Sequence, residues 1–247
     1  MSDPIRPEIA AIVERIDELR PRLLEAGVEG ESLRTIPTEA FDELAATGAF
    51  GISVPERFGG LAANTREAHA VARAIGRSNG SAAWVHGILD SGAWVVSLMD
   101  PKAQDDVWGA NGGIDDFISI VLATTSESER VDGGYRVTGK WGYGTGSLHA
   151  TWSLLGIPIK NAQGEVVDAG LALIPTAELS VVDNWFVAGM KSTGSVMQVA
   201  EDVFVPEHRV LPLTAAVEGG YLGEQAAQSY QTIFVPSLFM KLVGPHL

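Results

Sequence analysis

The sequence predicts an α+β fold in which a helical region is followed by an antiparallel β-domain. Two observations predict this order. Apolar residues recur at helical spacing over the first hundred residues, whereas short runs rich in Val, Ile, Leu and aromatic residues follow residue 115. We therefore expect a helical domain at 1–114, a small antiparallel barrel or sandwich at 115–212, and the start of a second helical domain at 213–247.

Five segments of the N-terminal part combine an apolar face with helix start or stop signals. They are 9–24, 37–48, 64–75, 81–99 and 100–109. The third begins with Asn64 and has Glu67 three residues later, which is the pattern of a capping box. The fourth is apolar on all sides, so we expect it to be buried. Residues 50–60 interrupt the helical spacing and are predicted to form a loop.

Five runs after residue 115 have the composition of strands. They are 117–123, 135–141, 151–159, 169–174 and 196–205. Residues 132–134 and 161–164 are predicted to be hairpin turns because they contain Asp, Asn and Gly. The acidic segment 127–129 is predicted to be a solvated loop, and a further helix is predicted from about residue 225.

Composition and charge exclude several classes of function. The 247 residues carry a formal net charge of -14, which disfavours nucleic acids and anionic membrane surfaces as partners. The chain has no cysteine, so it has neither disulfides nor thiolate metal sites. No basic and apolar leader starts the sequence, and no apolar run approaches about 18 residues. We therefore expect a soluble, cytoplasmic protein.

Two segments of the β-domain, 141–146 and 189–195, contain the residues that predict a ligand site. Each places glycines and hydroxyls beside aromatic residues on strands. Glycine lets a backbone approach a flat ring, a hydroxyl can hydrogen-bond the ring edge, and an indole can cover a ring face. A dinucleotide or triphosphate site would need a helix directly after the glycines, and strands follow here. Either segment alone is more often a plain turn; together they predict half of a flavin site.

Outside these segments, one tryptophan and two histidines could each have a functional or a structural role. Trp84 lies in the buried helix, where it either packs in the core or faces the ring. His86 and His149 are near the proposed site, where each is a proton shuttle or, more commonly, a structural residue. The five histidines lack metal-ligand spacing, so no metal site is expected.

The quoted segments resemble a known family. Residues 51–60 (GISVPERFGG) are similar to the N-terminal loop of the acyl-CoA dehydrogenase superfamily. Within that superfamily, five segments resemble the group D flavin monooxygenases, the oxygenase components of two-component systems that include hydroxylases of 4-hydroxyphenylacetate and of steroid phenols. These segments are 132–141, 145–146, 149–152, 193–195 and 205–209.

The resemblance implies an acyl-CoA dehydrogenase-like fold with a C-terminal helical bundle that builds a homotetramer. It also implies that reduced FMN or FAD comes from a separate NAD(P)H-dependent flavin reductase. The bound reduced flavin then reacts with O2 and hydroxylates an aromatic or other electron-rich small molecule. No nucleic-acid or membrane partner is implied.

By position, the resemblance assigns cofactor contacts and no catalytic residue. Trp84 lies against the flavin, the first strand lines it, and the Thr145 hydroxyl lies near the reactive nitrogen, with Ser195 a weaker candidate nearby. The implied cofactor contacts are Trp84, Ile120, Val121, Leu122, Tyr143, Gly144, Thr145 and Ser195.

Two departures from the family keep alternatives open. Gly92 stands where several phenol hydroxylases have a histidine that contacts the substrate hydroxyl. The family also continues beyond residue 247, so we expect most of the helical bundle to be absent. The alternatives are an acyl-CoA dehydrogenase that uses oxidised FAD, and a non-catalytic truncated remnant. Against the dehydrogenase, residues 141–146 lack its usual Trp-Ile-Thr turn, and residues 124–127 lack its Thr-Glu-Pro segment.

Overall fold

The helices precede the strands, as the sequence predicts. The computed structural model describes residues 5–109, 112–161 and 163–217. The helices are α1 Pro7–Glu18, α2 Arg20–Leu33, α3 Thr38–Ala46, α4 Thr65–Gly76, α5 Gly80–Val96, α6 Pro101–Trp108 and α7 Leu213–Val217. The strands are β1 Ile118–Val121, β2 Ser126–Val131, β3 Gly134–Trp141, β4 Trp152–Lys160, β5 Val166–Pro175, β6 Ser180–Val182, β7 Met197–Pro206 and β8 Val210–Pro212.

The first predicted helix is two helices. α1 ends at Glu18 and α2 begins at Arg20, with proline in its first turn. Proline has no N–H for the helix ladder and is tolerated only where a helix starts, so the chain breaks there. Ile9, Ile16 and Leu23 are buried as predicted, whereas Leu24 of the same predicted stripe is 50% exposed.

The capping box at the start of α4 is confirmed. The Asn64 side chain accepts a hydrogen bond from the Glu67 N–H, and the Glu67 carboxylate accepts one from the Asn64 N–H. Glu67 is also bonded to the Arg6 guanidinium, with an Nε–Oε1 distance of 2.8 Å. Burial raises the pKa of Glu67, but the bonds from Arg6 and the backbone outweigh it and hold that pKa below its usual value.

Helix α5 lies between the helical layer and the first sheet. A Cβ on Gly92 would overlap the carbonyl oxygen of Ile118 in β1, so the helix and the strand approach as closely as their backbones allow. Buried residues of α5 and α6 share one core with Ile118, Leu154 and Leu171 of the sheet. The missing side chain at residue 92 is therefore what lets α5 dock on β1.

The strands form two four-stranded sheets with orders β1-β4-β5-β8 and β2-β3-β7-β6. Val121, Trp141 and Leu155, from both sheets, belong to one core, so the sheets pack as the predicted sandwich and not as a closed barrel. One pair departs from the antiparallel prediction. β1 and β4 are parallel, with Ile118 opposite Trp152.

Sequence reasoning missed three strands, β2, β6 and β8. The prediction that 127–129 is a solvated loop is wrong, because these residues lie in β2 and pair with β3. Glu127 instead faces Lys160 at 2.8 Å, which lowers its pKa. The helix predicted from residue 225 lies outside the described residues. The domain division at residues 114 and 212 stays a prediction.

A charged cluster joins α6 to the end of β7. Asp106 Oδ2 accepts hydrogen bonds from His208 Nε2 and Arg209 Nε, each at 2.7 Å. Burial raises the pKa of Asp106, but the hydrogen bonds from Arg209 and His208 outweigh it and keep that pKa below its usual value. Within the described ranges, no helix has the length and hydropathy that crossing a lipid bilayer requires.

Candidate functional site

The two predicted segments meet in the structure. The turn between β3 and β4 is held to the start of β7 by a hydrogen bond from the Gly144 N–H to the Val196 carbonyl, at 2.9 Å. Tyr143 adopts a positive φ of 61° to enter this turn. Thr145 and Ser195 come together at its centre. The structure therefore brings the two segments together, and their interpretation as half of a flavin site stays a prediction.

Three buried hydroxyls form a chain through this site. Thr145 Oγ1 lies 2.7 Å from Ser195 Oγ, which lies 2.7 Å from Thr193 Oγ1. Thr193 Oγ1 donates to the Met190 carbonyl at 3.0 Å. Each hydroxyl has one proton, so this last bond fixes the direction of the others. Ser195 donates to Thr193 and Thr145 donates to Ser195, which leaves a lone pair on Thr145 Oγ1.

The first strand contributes less side-chain surface to the candidate site than predicted. Ile120 is buried in the core beneath the helices and Val121 in the core between the sheets, because alternate residues of a strand face opposite sides. Leu122, just past the strand, is 41% exposed. The backbone of this segment is tied to the site by Ser119 Oγ, which donates to the Thr145 carbonyl at 2.9 Å. Only Leu122 presents a largely exposed side chain here.

An aromatic surface that sequence reasoning missed lies beside Thr145. Tyr143 is 77% exposed and meets the Trp185 ring edge-on, with 5.9 Å between ring centroids. Trp185 Nε1 donates to the Met190 carbonyl at 3.3 Å, the same oxygen that ends the hydroxyl chain. Phe186 is 72% exposed under the guanidinium of Arg34. The two adjacent aromatic residues Trp185 and Phe186 were the available signal in the sequence.

Two further features restrict what the turn accepts. Gln198 Nε2 and Ser147 Oγ are buried without a hydrogen-bond partner among the described residues. A Cβ on Gly144 would stand 2.8 Å from Gln198 Nε2 and 2.9 Å from the Val196 carbonyl oxygen, so only glycine fits. The turn thus combines a lone pair on Thr145 with two unused polar atoms.

Trp84 lines a groove of about 460 Å³. Met190 belongs to both the hydroxyl chain and the groove, since its carbonyl ends the chain and the residue is among those that line the groove. The remaining lining residues come from α4 and α5. They are His69, Ala72, Arg73, Gly80 and Ala83.

The two histidines near the site have structural contacts. His149 stacks on Phe41 at 4.1 Å between ring centroids and lies 3.2 Å from Thr35 Oγ1. Burial lowers the pKa of His149 to about 4, so the ring is neutral at pH 7. His86 Nε2 lies 3.0 Å from the Ala49 carbonyl oxygen deep in the helical core. These contacts support the structural interpretation of both residues. No three His, Asp or Glu side chains in the described part of the chain converge as metal ligands.

Comparison with known proteins gives the same picture. Residues 6–108 match the acyl-CoA dehydrogenase N-terminal domain. The chain is 39% identical, over 203 residues, to the flavin-dependent monooxygenase oxygenase subunit HsaA of Rhodococcus jostii strain RHA1; this covers 82% of the chain and 52% of that protein. The chain thus spans about half the length of this relative.

Two solved structures share the fold. The 3-HSA hydroxylase from Rhodococcus sp. RHA1 superposes with a TM-score of 0.86 at 35% identity, covering 95% of this chain and 61% of that one. XiaF from Streptomyces sp., solved with FADH2 and glycerol, superposes with a TM-score of 0.79 at 28% identity, covering 96% and 60%.

Proposed function

We propose that this chain is part of the oxygenase component of a two-component flavin monooxygenase. Two findings support the proposal: residues 6–108 belong to the acyl-CoA dehydrogenase N-terminal domain family, and the fold is that of flavin-dependent monooxygenases. In this proposal the oxygenase uses reduced FMN or FAD and O2. Its substrate is an aromatic or other electron-rich small molecule.

The direction of the hydroxyl chain carries the proposal. Reduced flavin has an N–H at its reactive ring nitrogen, whereas oxidised flavin has a bare lone pair there. The proton of Thr145 is used within the chain, so Thr145 Oγ1 offers an acceptor to a ligand. That acceptor suits reduced flavin. To donate to oxidised flavin, Thr145 would have to give up its bond to Ser195, or all three hydroxyls would have to turn and Thr193 would lose its bond to the Met190 carbonyl; either way one hydrogen bond of the chain is lost.

The surfaces around Thr145 fit a flat ring. Leu122, Tyr143 and Trp185 offer apolar and aromatic area, while Gln198 Nε2 and Ser147 Oγ are unused polar atoms of the kind that the polar end of a flavin can pair with. When bound, reduced flavin supplies the activation of O2 and the transfer of one oxygen atom. The residues of this chain orient the ring and keep water from it.

The same proposal includes partners and assembly. The relative's name, oxygenase subunit, supports a separate partner component. We propose that this partner is a flavin reductase that uses NAD(P)H. Tyr143, Phe186 and Met190 are exposed apolar residues on connected turns, and apolar area of this kind is commonly covered by protein. We propose that a C-terminal helical bundle covers it in a cytoplasmic homotetramer. Trp84, Ile120, Val121, Leu122, Tyr143, Gly144, Thr145 and Ser195 stay the proposed cofactor contacts.

An anaerobic titration of the chain with reduced and oxidised FMN and FAD tests the proposal. We expect the reduced form of one flavin to bind at least about fivefold more tightly than its oxidised form, the factor for one additional hydrogen bond. Preference for oxidised FAD would favour the dehydrogenase alternative. Failure of all four ligands to bind would mean that this chain does not form a flavin site, as the remnant alternative requires.

A further inference from the structure

We infer that Arg34 is a positioning residue of the candidate site, because it holds the loop 183–190 and through this loop places Trp185 against Tyr143. Arg34 ends α2 and is 149 positions from Asp183, the residue that begins the loop. The placement of Trp185 is independent of any ligand, whereas its effect on a bound flavin rests on the proposed function.

The loop 183–190 has no anchor in the core. None of its residues is buried, and the three residues of β6 that precede it are exposed as well. A segment without buried apolar contacts opens locally at low cost, so its position depends on the contacts made at its surface. Asn184 Oδ1 accepts a hydrogen bond from the Met197 N–H at 3.0 Å, and Arg34 supplies further contacts.

The guanidinium of Arg34 contacts three residues of this loop. Nη1 and Nη2 each donate to one carboxylate oxygen of Asp183, both at 2.6 Å. Nη1 also donates to the Trp185 carbonyl at 3.4 Å, and the guanidinium lies over the Phe186 ring, 4.2 Å from its centroid. A planar group with paired donors fixes the orientation of its partners as well as their distance. These contacts therefore hold the backbone of residues 183–186.

The backbone conformation of Arg34 is one that glycine usually adopts. Its φ is 58°, in the left-handed region, where a Cβ is unfavourable and where helices commonly end in glycine. The Arg34 N–H still closes the last turn of α2 on the Gly30 carbonyl, at 2.8 Å. An arginine at this position is explained by contacts of its side chain that glycine could not make.

The end of α2 is a firm support for the loop. A Cβ on Gly30 would stand 2.5 Å from Ser192 Oγ, so the helix packs directly on the turn that follows the loop. Glu31 pairs with Lys191 of the same turn at 3.7 Å. Both ends of the loop therefore rest on the last turn of α2, and Arg34 provides the contact at the first end.

Trp185 is the residue through which this loop reaches the site. Its ring meets Tyr143 edge-on, and its Nε1 donates to the Met190 carbonyl that ends the hydroxyl chain. Arg34 binds the carbonyl of Trp185, so its removal frees the backbone that carries this ring. Because a fixed aromatic surface binds a flat ligand more tightly than a mobile one, Arg34 raises the affinity of the site for a flavin ring.

Limited proteolysis tests the placement of Trp185 without any ligand. Chymotrypsin cuts after aromatic residues, and cleavage after Trp185 or Phe186 is identified by the masses of the fragments. We expect Arg34→Gln to be cut there at least about fivefold faster than the wild type, the factor for the loss of one hydrogen bond, because cleavage follows the population of the open loop.

Arg22→Gln is the matched control for this measurement. Arg22 lies on the same helix and is similarly exposed, with 26% of its side chain accessible against 29% for Arg34, but it pairs with Glu29 and Glu43. Its substitution should leave cleavage of the loop unchanged. Equal cleavage of the wild type and Arg34→Gln, or an equal increase in both arginine variants, would overturn the inference.

Anaerobic titration with reduced FMN and reduced FAD tests the consequence for the site. For the flavin that binds the wild type more tightly, we expect Arg34→Gln to weaken binding about fivefold, and Asp183→Asn to weaken it in the same direction. In a chain that already carries Trp185→Leu, Arg34→Gln should cause no further loss, because its effect passes through Trp185. An undiminished loss in that background would show that Arg34 acts by another route and would overturn the inference.

The two measurements together separate this inference from the proposed function. A reduced flavin that binds equally well to the wild type and to Arg34→Gln overturns the role of Arg34 and leaves the proposed function in place. Faster cleavage of Arg34→Gln, in a protein whose wild type binds neither reduced flavin, overturns the proposed function and supports the placement of Trp185 by Arg34. Faster cleavage together with weaker flavin binding supports both.

Discussion

At the scale of single residues, the hydroxyl of Thr193 has an effect beyond its own contacts. It contacts Ser195 and the Met190 carbonyl, and Ser195 stands between it and Thr145. By accepting the proton of Ser195, it makes Ser195 accept the proton of Thr145. A side chain two hydroxyls away from the proposed ligand therefore sets which protonation state of that ligand is favoured.

Thr193→Val should shift the preference of the site from reduced towards oxidised flavin. Without the terminal hydroxyl, Ser195 can donate to Thr145, and Thr145 can donate outwards. We expect the ratio of the two dissociation constants to change by about fivefold, which a shift in the bound flavin's reduction potential would also report. Ser192→Ala, in the same turn but outside the chain, should leave the ratio unchanged. An equal loss of affinity for both redox forms in Thr193→Val would show a merely structural role.

His149 should make the protein sensitive to mild acid. Its pKa is about 4 in the folded protein and about 6.5 when the ring is exposed. Below pH 6.5 the unfolded chain therefore binds a proton that the folded chain does not, so the stabilisation present above pH 6.5 is lost as pH falls towards 4. Between pH 7.5 and 4.5 this amounts to about 2–3 kcal/mol.

Urea denaturation of the wild type and of His149→Phe at these two pH values measures the effect. Phenylalanine keeps the stacking on Phe41 and cannot be protonated, so the variant should lose less stability between the two pH values by that amount. The same loss in both proteins would contradict the assignment.

The sequence predicts part of the site because some side chains carry their chemistry in a local pattern. Thr145 and Ser195 stand among glycines, and clustered glycines indicate an unusual backbone conformation. Both segments could therefore be recognised from the sequence. Trp185 and Arg34 could not. Trp185 becomes significant only when its loop folds back onto Tyr143, and Arg34 only when that loop reaches the end of α2. Such contacts between distant segments leave no pattern in one sequence.

At the scale of elements, prediction was accurate where one face of a segment is buried. The cap at Asn64 and the apolar spacing of α4 locate that helix. β2 was missed because it has the composition of a loop, with Glu127, Glu129 and Arg130 exposed and Ser128 as its buried residue. β6 was missed because all of its residues are exposed. An edge strand held mainly by backbone hydrogen bonds has no apolar alternation to reveal it.

Gly92→Ala tests the packing of α5 on β1. The added methyl group would meet a backbone carbonyl, which cannot move without displacing the strand. We expect a loss of at least about 3 kcal/mol in the free energy of unfolding, at the upper end of the cost of overpacking a core. Gly80→Ala in the same helix has open space and should be neutral or slightly stabilising. Thermal denaturation of the two variants gives the comparison, and similar melting temperatures would refute this view of the contact.

At the scale of the whole molecule, the helices and sheets are not independent. The core beneath α5 and α6 contains residues of four strands, and Asp106 links α6 to the residues after β7. The matched family segment 6–108 therefore ends before the strands that complete its own core. We expect the described part of the chain to unfold in one transition.

Asp106→Asn should destabilise the protein by about 2 kcal/mol, because Arg209 and His208 lose the anion that offsets their partial burial. Asp106 has a lowered pKa, so its contribution is present above the pKa of the unfolded carboxyl and disappears as pH falls through the folded pKa. Asp105→Asn, at a more exposed neighbour paired with Arg57, should cost at most about 0.5 kcal/mol. Denaturation curves at pH 7 decide this, and equal effects of the two substitutions would count against a special link at Asp106.

The parallel pair β1–β4 has a consequence for how the chain emerges during synthesis. The connection between the two strands contains the whole β2–β3 hairpin, so β1 leaves the ribosome well before its partner exists. Until β4 is synthesised, β1 has no hydrogen-bonded neighbour. The apolar face of α5 that packs on the sheet stays uncovered for the same time. Closing such a distant pairing is slow, and exposed apolar surface invites association with other chains in the meantime. The nascent helical region therefore keeps an uncovered apolar face until synthesis has passed residue 160.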